Sequence, residues 1–266
     1  MNANTLTSEF TLDVLWQYIC QEAHTQINNE PILTHYFQTI LLKHNSFADA
    51  LSYMLANKLA SQFINASDIQ AIAKQAYLAE PAIIQSAMID LMAVYTRDPA
   101  TIYYSSPLLF YKGYQSIQAY RIAHWLWTQN RHSLASFLQS QIALEFGVDI
   151  HPAARIGHGV MFDHATGIVI GETAVVENDV SILQSVTLGG TGKESGDRHP
   201  KVREGVMIGA NATILGNIEI GKGAKIGAGS VVLKPVPAHS TVAGVPAKIV
   251  GSTNCEKPSL DMDQGI

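Results

Sequence analysis

An aspartate and a histidine stand side by side in FDHATG, residues 162–167, inside a stretch where aliphatic residues recur at a fixed interval. Histidine titrates near neutral pH, so His164 is a candidate general base; a surface histidine on a repeat is the alternative. A second polar pair, Arg198 and His199, stands in GDRHP. Because a guanidinium matches the planar fork of a carboxylate, Arg198 is a candidate for binding an acidic ligand.

The elements that must position these side chains repeat every six residues. This period fits neither an amphipathic helix nor a plain alternating strand. It predicts a coil of short strands joined by tight corners, with one aliphatic side chain per strand pointing inward and three hexads in each triangular turn. The series is Ile150, Ile156, Phe162, Ile168, Ala174, Val180 and Val186, then Val202, Ile208, Ile214, Ile220, Ile226 and Val232.

The repeat lapses over 189–201, the segment that contains Arg198 and His199. Val202 follows Val186 by sixteen residues, which is two hexads plus four, so the segment leaves the repeat as a loop. Functional residues often lie on loops that a rigid scaffold positions, and such a loop can reach a neighbouring molecule. A parallel solenoid with no catalytic role is the alternative.

Glycines and aromatics divide the chain near Gly147. Residues 148–250 hold sixteen of the twenty glycines, whereas Phe162 is the only aromatic residue after position 147. Residues 1–147 carry helical periodicity and predict an all-helical domain. The fold class is therefore α+β, with a parallel β-helix over 148–250. Residues 251–266 lack an apolar period and predict a flexible acidic tail.

The composition excludes several classes of protein. The chain has 266 residues, 47% of them hydrophobic, and a net charge of −5 without a basic cluster, which argues against nucleic-acid binding. The first residues lack a basic segment followed by an apolar one, so we expect no signal peptide, and no apolar run approaches the length of a membrane span. Cys20 and Cys255 form neither a metal-type spacing nor a disulfide framework, so we expect a reducing compartment and a cytoplasmic protein.

The motifs RDPA (97–100), FDHATG, GDRHP and the closing AGVPAKIV resemble those of the serine O-acetyltransferases, the first enzymes of cysteine synthesis in bacteria and plants. The resemblance covers nearly the whole chain. It implies that the β-helix is left-handed and that acetyl passes from acetyl-CoA to the hydroxyl of L-serine, giving O-acetyl-L-serine and CoA. An acyltransferase for a sugar and a scaffold without activity are the alternatives, and RDPA with Arg198 favours an amino-acid acceptor.

The resemblance also implies roles for the site residues. Asp149 would orient His164, although ideal hexad stacking leaves the two about 10 Å apart, so the first coil must deviate. His199 would contact the serine or the developing oxyanion. Asp163 and Asp98 would receive the serine ammonium group, with a helix-stop turn as the alternative for Asp98.

Acetyl-CoA is the implied co-substrate. The positions that match its binding residues in the family are Gly190, Thr191, Ala210, Lys225 and Ala228. A zinc site built from His151, His158 and His164 is the alternative, but residues one hexad apart lie on different faces of a prism. We therefore expect no metal.

The resemblance implies three kinds of partner. The family forms homo-hexamers, as dimers of trimers, and is inhibited by L-cysteine at the serine site. It also binds O-acetylserine sulfhydrylase by inserting a terminal isoleucine into that enzyme's active site. Here the residue is Ile266, which combines an apolar side chain with a free carboxylate, and Asp263 and Gln264 would add polar contacts.

Overall fold

The computed structural model describes residues 11–192, 195–253 and 255–265. By its internal contacts the chain divides into two compact units, with the border between Phe110 and Tyr111. The change from helix to strand comes later, because the last long helix ends at Phe146 and the first strand begins at Asp149. Two helices therefore belong to the same unit as the strands.

Residues 11–110 of the first unit contain helices and no strand. Ser46 caps the third helix by accepting a hydrogen bond from the Asp49 amide at 3.2 Å, as expected of a serine at that position. The fourth helix is capped by Asn65, which accepts from the Asp68 amide at 3.0 Å. The helices are α1 Leu12–Asn29, α2 Thr34–Phe37, α3 Phe47–Leu59, α4 Ala66–Ala79, α5 Ala82–Arg97 and α6 Ser105–Phe110.

The core of this unit is built from apolar faces of α1 and α3 to α5. Leu15, Leu51, Ile69 and Leu91 are fully buried there, which is the usual outcome of a helical apolar period. Within the described residues no single helix is both long and apolar enough to span a membrane. The pair α4 and α5 reaches that length and composition only together, and it is bent by 100° at the junction.

In the second unit, α7 (Lys112–Thr128) and α8 (His132–Phe146) precede the strands. The first coil of a solenoid has no earlier coil whose amides could bond its carbonyl groups. Side chains of α7 supply those donors. Arg121 donates to the Gly157 carbonyl at 2.6 Å, His124 Nδ1 lies 2.7 Å from the Pro152 carbonyl, and the Tyr120 hydroxyl bonds the Ala154 carbonyl.

The strands form three sheets, which are the three faces of a prism. The first sheet contains β1, β4, β7, β10 and β13, and the second contains β2, β5, β8 and β11. The third contains β3, β6, β9, β12 and β14, all parallel, and an antiparallel edge strand, β15. The strands are β1 Asp149–Ile150, β2 Arg155–Ile156, β3 Met161–Asp163, β4 Val169–Ile170, β5 Val175–Val176, β6 Ser181–Leu183, β7 Thr187–Gly189, β8 Lys201–Val202, β9 Met207–Ile208, β10 Thr213–Leu215, β11 Glu219–Ile220, β12 Lys225–Ile226, β13 Val231–Val232, β14 Ser240–Gly244 and β15 Ala247–Ser252.

This arrangement confirms the predicted fold of a helical region followed by a parallel β-helix of hexapeptide repeats. The coils differ in length, however. Asp149 pairs with Val169, so the first coil takes 20 residues (149 to 169), two more than three hexads. The coil that contains the loop takes 26 residues, from Val175 to Lys201.

The predicted inward series follows two different rows of side chains. Ile150 and Phe162 belong to the row that continues as Ile170 and Ile182, whereas Ile168 belongs to a second inward row two residues earlier in each hexad. Both rows are buried. The series changes row after Phe162 because the extra two residues of the first coil fall there. Each hexad thus places two side chains inside the prism and not one.

Part of the segment predicted as a tail forms regular structure. A short helix, α9 Pro258–Asp261, follows β15 and packs on the outer side of the third sheet. Lys257 forms ion pairs with Asp179 at 2.6 Å and Glu204 at 2.5 Å, and Ser181 donates to the Ser259 carbonyl. These contacts were missed because they pair single polar residues and leave no period in the sequence. Ile266 lies outside the described residues.

Candidate active site

His164 lies on an edge of the prism, at the corner between β3 and β4. Its backbone is left-handed, with φ of 56°, and Ala165 follows with φ of 63°. The side chain is 77% exposed, and its Nε2 lies 3.9 Å from Oδ1 of Asp163. The extra residues of the first coil therefore push this imidazole out of the prism into solvent, next to one carboxylate.

Helix α7 fixes the strand that leads into this corner. A Cβ on Gly113 would lie 2.1 Å from the Phe162 carbonyl oxygen, so only glycine lets the helix backbone come this close to β3. The Lys112 ammonium group bonds the Thr166 hydroxyl on the far side of the corner. Residues 112 and 113 thus hold both ends of the segment that carries His164.

Asp149 begins β1 on the same edge, since Gly167 of the corner donates to the Gly147 carbonyl at 2.7 Å. Its exposed carboxylate accepts a hydrogen bond from the Gln139 side chain at 2.7 Å. Among the described residues no hydrogen bond joins Asp149 to His164. The structure therefore brings the two residues to one edge, as the deviating first coil requires, without the direct pairing that the resemblance implied.

His199 lies on the other edge of the first sheet, where the loop residues 195–200 stack on the corner 171–173. The residue is 6% exposed. Its Nδ1 accepts a hydrogen bond from the Thr173 amide at 3.1 Å and lies 2.9 Å from the Thr173 hydroxyl oxygen. A Cβ on Gly171 would lie 2.1 Å from the ring, so the imidazole occupies the space of a missing side chain.

Charges around this edge favour a neutral His199. Burial and the neighbouring Arg198 guanidinium lower the pKa of His199. Arg198 donates to Glu172 at 2.8 Å, and this hydrogen bond lowers the pKa of the Glu172 carboxyl group. Arg198 also donates to the Gly196 carbonyl at 3.1 Å. The guanidinium is thereby held in place with further N–H groups left to meet a ligand.

A lysine fastens the base of the loop. The Lys201 ammonium group bonds the His199 carbonyl at 2.7 Å, the Thr173 carbonyl at 3.0 Å and the Asp197 carboxylate at 2.6 Å. The ion pair lowers the pKa of Asp197. Lys201 therefore holds the second half of the loop against the corner 171–173.

The candidate acetyl-CoA residues divide between the same two edges. Corner-to-corner hydrogen bonds run along the His164 edge, ending with Gly229 to the Ala210 carbonyl at 2.8 Å, so Ala210 and Ala228 stack above His164. Gly190 lies on the His199 edge, where its Cβ position is 3.4 Å from Cγ of Arg198, and Thr191 follows it. One chain does not bring the two sets together.

Two predicted residues lie elsewhere. Lys225 starts β12 on the outer side of the third sheet, with its Nζ bonded to the Gly265 carbonyl and 3.6 Å from Asp263. Asp98 belongs to the first unit, where its carboxylate accepts from the Ala100 amide at 2.8 Å and the Thr101 hydroxyl at 2.9 Å. Those bonds form the helix-stop turn that was the alternative for Asp98.

No set of three or more His, Cys, Asp or Glu side chains in residues 11–192, 195–253 and 255–265 could hold a metal ion. His151, from the zinc alternative, instead accepts from the Ala153 amide at 3.0 Å and meets the Trp127 ring edge to face. Burial lowers the pKa of His151.

Comparison with known proteins decides the family. Residues 15–119 match the model "Serine acetyltransferase, N-terminal" and residues 199–234 match "Bacterial transferase hexapeptide (six repeats)". The serine acetyltransferase of Escherichia coli K12 is 63% identical over 253 residues, which are 95% of this chain and 93% of the relative. The chain belongs to the serine acetyltransferase family.

Solved members of the family share the fold over nearly their full length. The serine acetyltransferase of Vibrio cholerae is 58% identical, with a TM-score of 0.95 over 96% of this chain and 99% of that one. A serine acetyltransferase in complex with cysteine is 60% identical, with a TM-score of 0.94 over 96% of this chain and 100% of the other. A third, in complex with CoA, is 61% identical, with a TM-score of 0.87 over 91% of this chain and 100% of the other.

Sequence reasoning missed the residues that support the family's motifs from outside them. Gly171, Glu172 and Thr173 together hold Arg198 and His199, and Gln139 holds Asp149. The available signal was the run GET directly after β4, a glycine and two polar residues at a corner where the repeat needs none of them.

Proposed function

We propose that the chain transfers acetyl from acetyl-CoA to the hydroxyl of L-serine, giving O-acetyl-L-serine and CoA. The observation that carries the proposal is the 63% identity to a serine acetyltransferase over 95% of this chain. The exposed imidazole of His164 at a left-handed corner supports it, because a base must reach its substrate from the surface of a filled prism. Production of O-acetyl-L-serine for cysteine synthesis, in the cytoplasm, is part of this proposal.

In this reaction His164 takes the proton of the serine hydroxyl as its oxygen attacks the thioester carbonyl carbon. The tetrahedral intermediate then expels the CoA thiolate, and the proton passes from His164 to that sulfur. Asp149 stabilises the imidazolium through the field of its carboxylate, from the same edge of the prism.

Serine carries a carboxylate and an ammonium group, and charged residues that can pair with them lie beside the two histidines. Arg198 pairs with the serine carboxylate through the N–H groups that Glu172 and Gly196 leave unused. Asp163, next to His164, receives the ammonium group. Asp98 is assigned the same role more weakly, because both of its oxygens already accept hydrogen bonds in the first unit.

The acetyl-CoA groove is assigned to Gly190, Thr191, Ala210 and Ala228, whose small side chains leave backbone groups open at the two edges. Lys225 is assigned to the phosphate end. That role requires its contacts with Asp263 and Gly265 to open.

CoA release from acetyl-CoA tests the proposal against the main alternative. The full chain is assayed with L-serine, with an amino sugar and with no acceptor. We expect release only with L-serine. Release with the sugar and not with serine would assign the chain to a different acyltransferase, and no release with either would favour a scaffold without activity.

We propose further that neighbouring chains complete each site, in a trimer that pairs into a hexamer. The support is the division of the site residues between two edges, His164 with Ala210 on one and His199 with Gly190 on the other. Mixing His164→Ala and His199→Ala chains should restore part of the lost turnover, since some interfaces then contain both histidines. A monomeric mass in light scattering, or no restoration, would contradict a shared site.

L-Cysteine is proposed as an inhibitor at the serine site. It keeps the ammonium and carboxylate groups of serine and differs only in sulfur for oxygen, and a solved relative is a complex with cysteine. Inhibition should be competitive with serine in steady-state kinetics. A purely uncompetitive pattern would reject a common site.

O-Acetylserine sulfhydrylase is the proposed protein partner, bound through Ile266 with contacts from Asp263 and Gln264. The ion pairs of Lys257 hold α9 on the third sheet, so residues after α9 reach a partner without its release only if Asp263 and Gly265 leave Lys225. Titration of the sulfhydrylase with a decapeptide ending in Ile266, and with one lacking it, tests the anchor. Equal affinities would remove Ile266 from the interface.

A further inference from the structure

We propose that Thr173 is a positioning residue that holds His199 as the tautomer protonated on Nε2, so that His199 acts as a hydrogen-bond donor and not as a base. The inference rests on the proposed function, because it concerns what His199 does for the same substrate. It assigns a role to a threonine that no motif of the sequence singled out.

The first step is the direction of the bond to the ring. A backbone amide can only donate, so the 3.1 Å contact from the Thr173 N–H requires a lone pair on Nδ1 of His199. In a neutral imidazole the proton must then reside on Nε2. Among the described residues nothing hydrogen-bonds Nε2, so its N–H is the group that can meet a ligand.

The second step concerns the Thr173 hydroxyl. Its oxygen accepts from the Arg198 amide at 3.0 Å and the His199 amide at 3.1 Å. Both lone pairs are then used, which leaves the hydroxyl proton to be donated. The acceptors beside it are Nδ1 of His199 at 2.9 Å and the Asp197 carboxylate. A single side chain therefore fixes two successive backbone amides of the loop and lies against the ring.

The third step concerns the space around the His199 ring, which allows one ring orientation. The ring lies on Gly171, where a Cβ would be 2.1 Å from both Nε2 and Cδ2. Flipping the ring would put carbon against the Thr173 amide and lose that hydrogen bond. Clamped on one side by Thr173 and on the other by the coil backbone, His199 is held in one orientation.

The consequence is a division of labour between the two histidines. A neutral ring with its proton on Nε2 cannot take a proton from serine there, but it can donate to a carboxylate or to the oxyanion of the tetrahedral intermediate. Proton abstraction is left to His164. The sequence alone does not distinguish the roles of His164 and His199. The contacts of Thr173 with His199 do.

The test combines a spectroscopic readout with kinetics on the full chain. Nitrogen chemical shifts of ¹⁵N-histidine-labelled protein distinguish the two tautomers, and a His199→Gln variant identifies the His199 signals. We expect protonated Nε2 and bare Nδ1 in the unaltered chain. Thr173→Val keeps the backbone amide that donates to Nδ1, so the tautomer should stay the same. It removes the hydroxyl that holds the Arg198 and His199 amides, so the ring is no longer held in position and kcat should fall at least about tenfold, the usual effect of a lost hydrogen bond.

Thr173→Ser restores the hydroxyl and should keep kcat within about twofold. Thr128→Val is the matched control, because the Thr128 hydroxyl bonds a carbonyl of its own helix and the side chain of the next residue, Gln129, far from either histidine of the site, and it should leave kcat unchanged. A protonated Nδ1 in the unaltered chain, or native kcat in Thr173→Val, would overturn the inference. The tautomer is read without turnover, so failure to acetylate serine would contradict the proposed function separately.

Discussion

The two histidines of the site occupy opposite environments on the two edges of one sheet. His164 is 77% exposed on a left-handed corner, with Asp163 as its nearest charged neighbour. His199 is 6% exposed and clamped between Thr173 and Gly171. The residue type is the same, so the environment decides the chemistry: an exposed ring suits a base, whereas a fixed ring with a bare Nδ1 suits a donor.

Loss of the exposed histidine should have the largest effect. His164→Ala removes the base and should lower kcat about 1,000-fold, while acetyl-CoA binding by calorimetry stays native. His158→Ala is the matched control, since it removes another exposed histidine of the same coil and should leave kcat unchanged. Near-native turnover in His164→Ala would end the proposed division of roles.

The second-largest loss of kcat should come from crowding the buried His199. Gly171→Ala introduces a Cβ 2.1 Å from the His199 ring, so the ring must move by more than 1 Å, a displacement that can cost about 100-fold in kcat. Gly251→Ala, where no atom lies within 4 Å of the new Cβ, is the control. Native kinetics in Gly171→Ala would show that the position of His199 does not matter.

Substitution of Asp149 tests whether the His164 ring must be oriented by a carboxylate. Its carboxylate bonds Gln139 and not His164, so Asp149→Asn should lower kcat by about tenfold at most. Gln139→Leu, which leaves Asp149 charged but unheld, should cost less. A loss from Asp149→Asn as large as that from His164→Ala would mean that the two side chains pair when substrate binds.

The sequence predicted the regular part of the fold and the residue types of the site, because a six-residue period and motif residues are local. It also predicted that the first coil deviates, since ideal stacking separated Asp149 from His164. It did not predict the support of His199, because Thr173 lies 26 residues away. An insertion inside a coil cannot be placed by counting hexads, and so the partners across it stay unknown.

The smallest expected effect concerns the charges around His199 and the pKa of its ring. Burial lowers the pKa of His199 most; the positive Arg198 also opposes protonation and lowers it, as do Lys201 and His151, whereas Glu172 raises it. Arg198→Gln removes one opposing charge and leaves Glu172 without its ion-pair partner, and both changes stabilise the imidazolium. The pKa of His199 should therefore rise, so that the ring becomes charged at a higher pH than before.

Titration of the His199 nitrogen shifts measures this directly. The neutral donor form is present above the pKa and lost as pH falls through it, so Arg198→Gln should move that loss to higher pH. Arg155→Gln, which removes an exposed arginine on the second sheet, should leave the midpoint unchanged. An unchanged midpoint in Arg198→Gln would mean that burial alone, and not the neighbouring charge, lowers the pKa of His199, and that the two edges differ only in exposure.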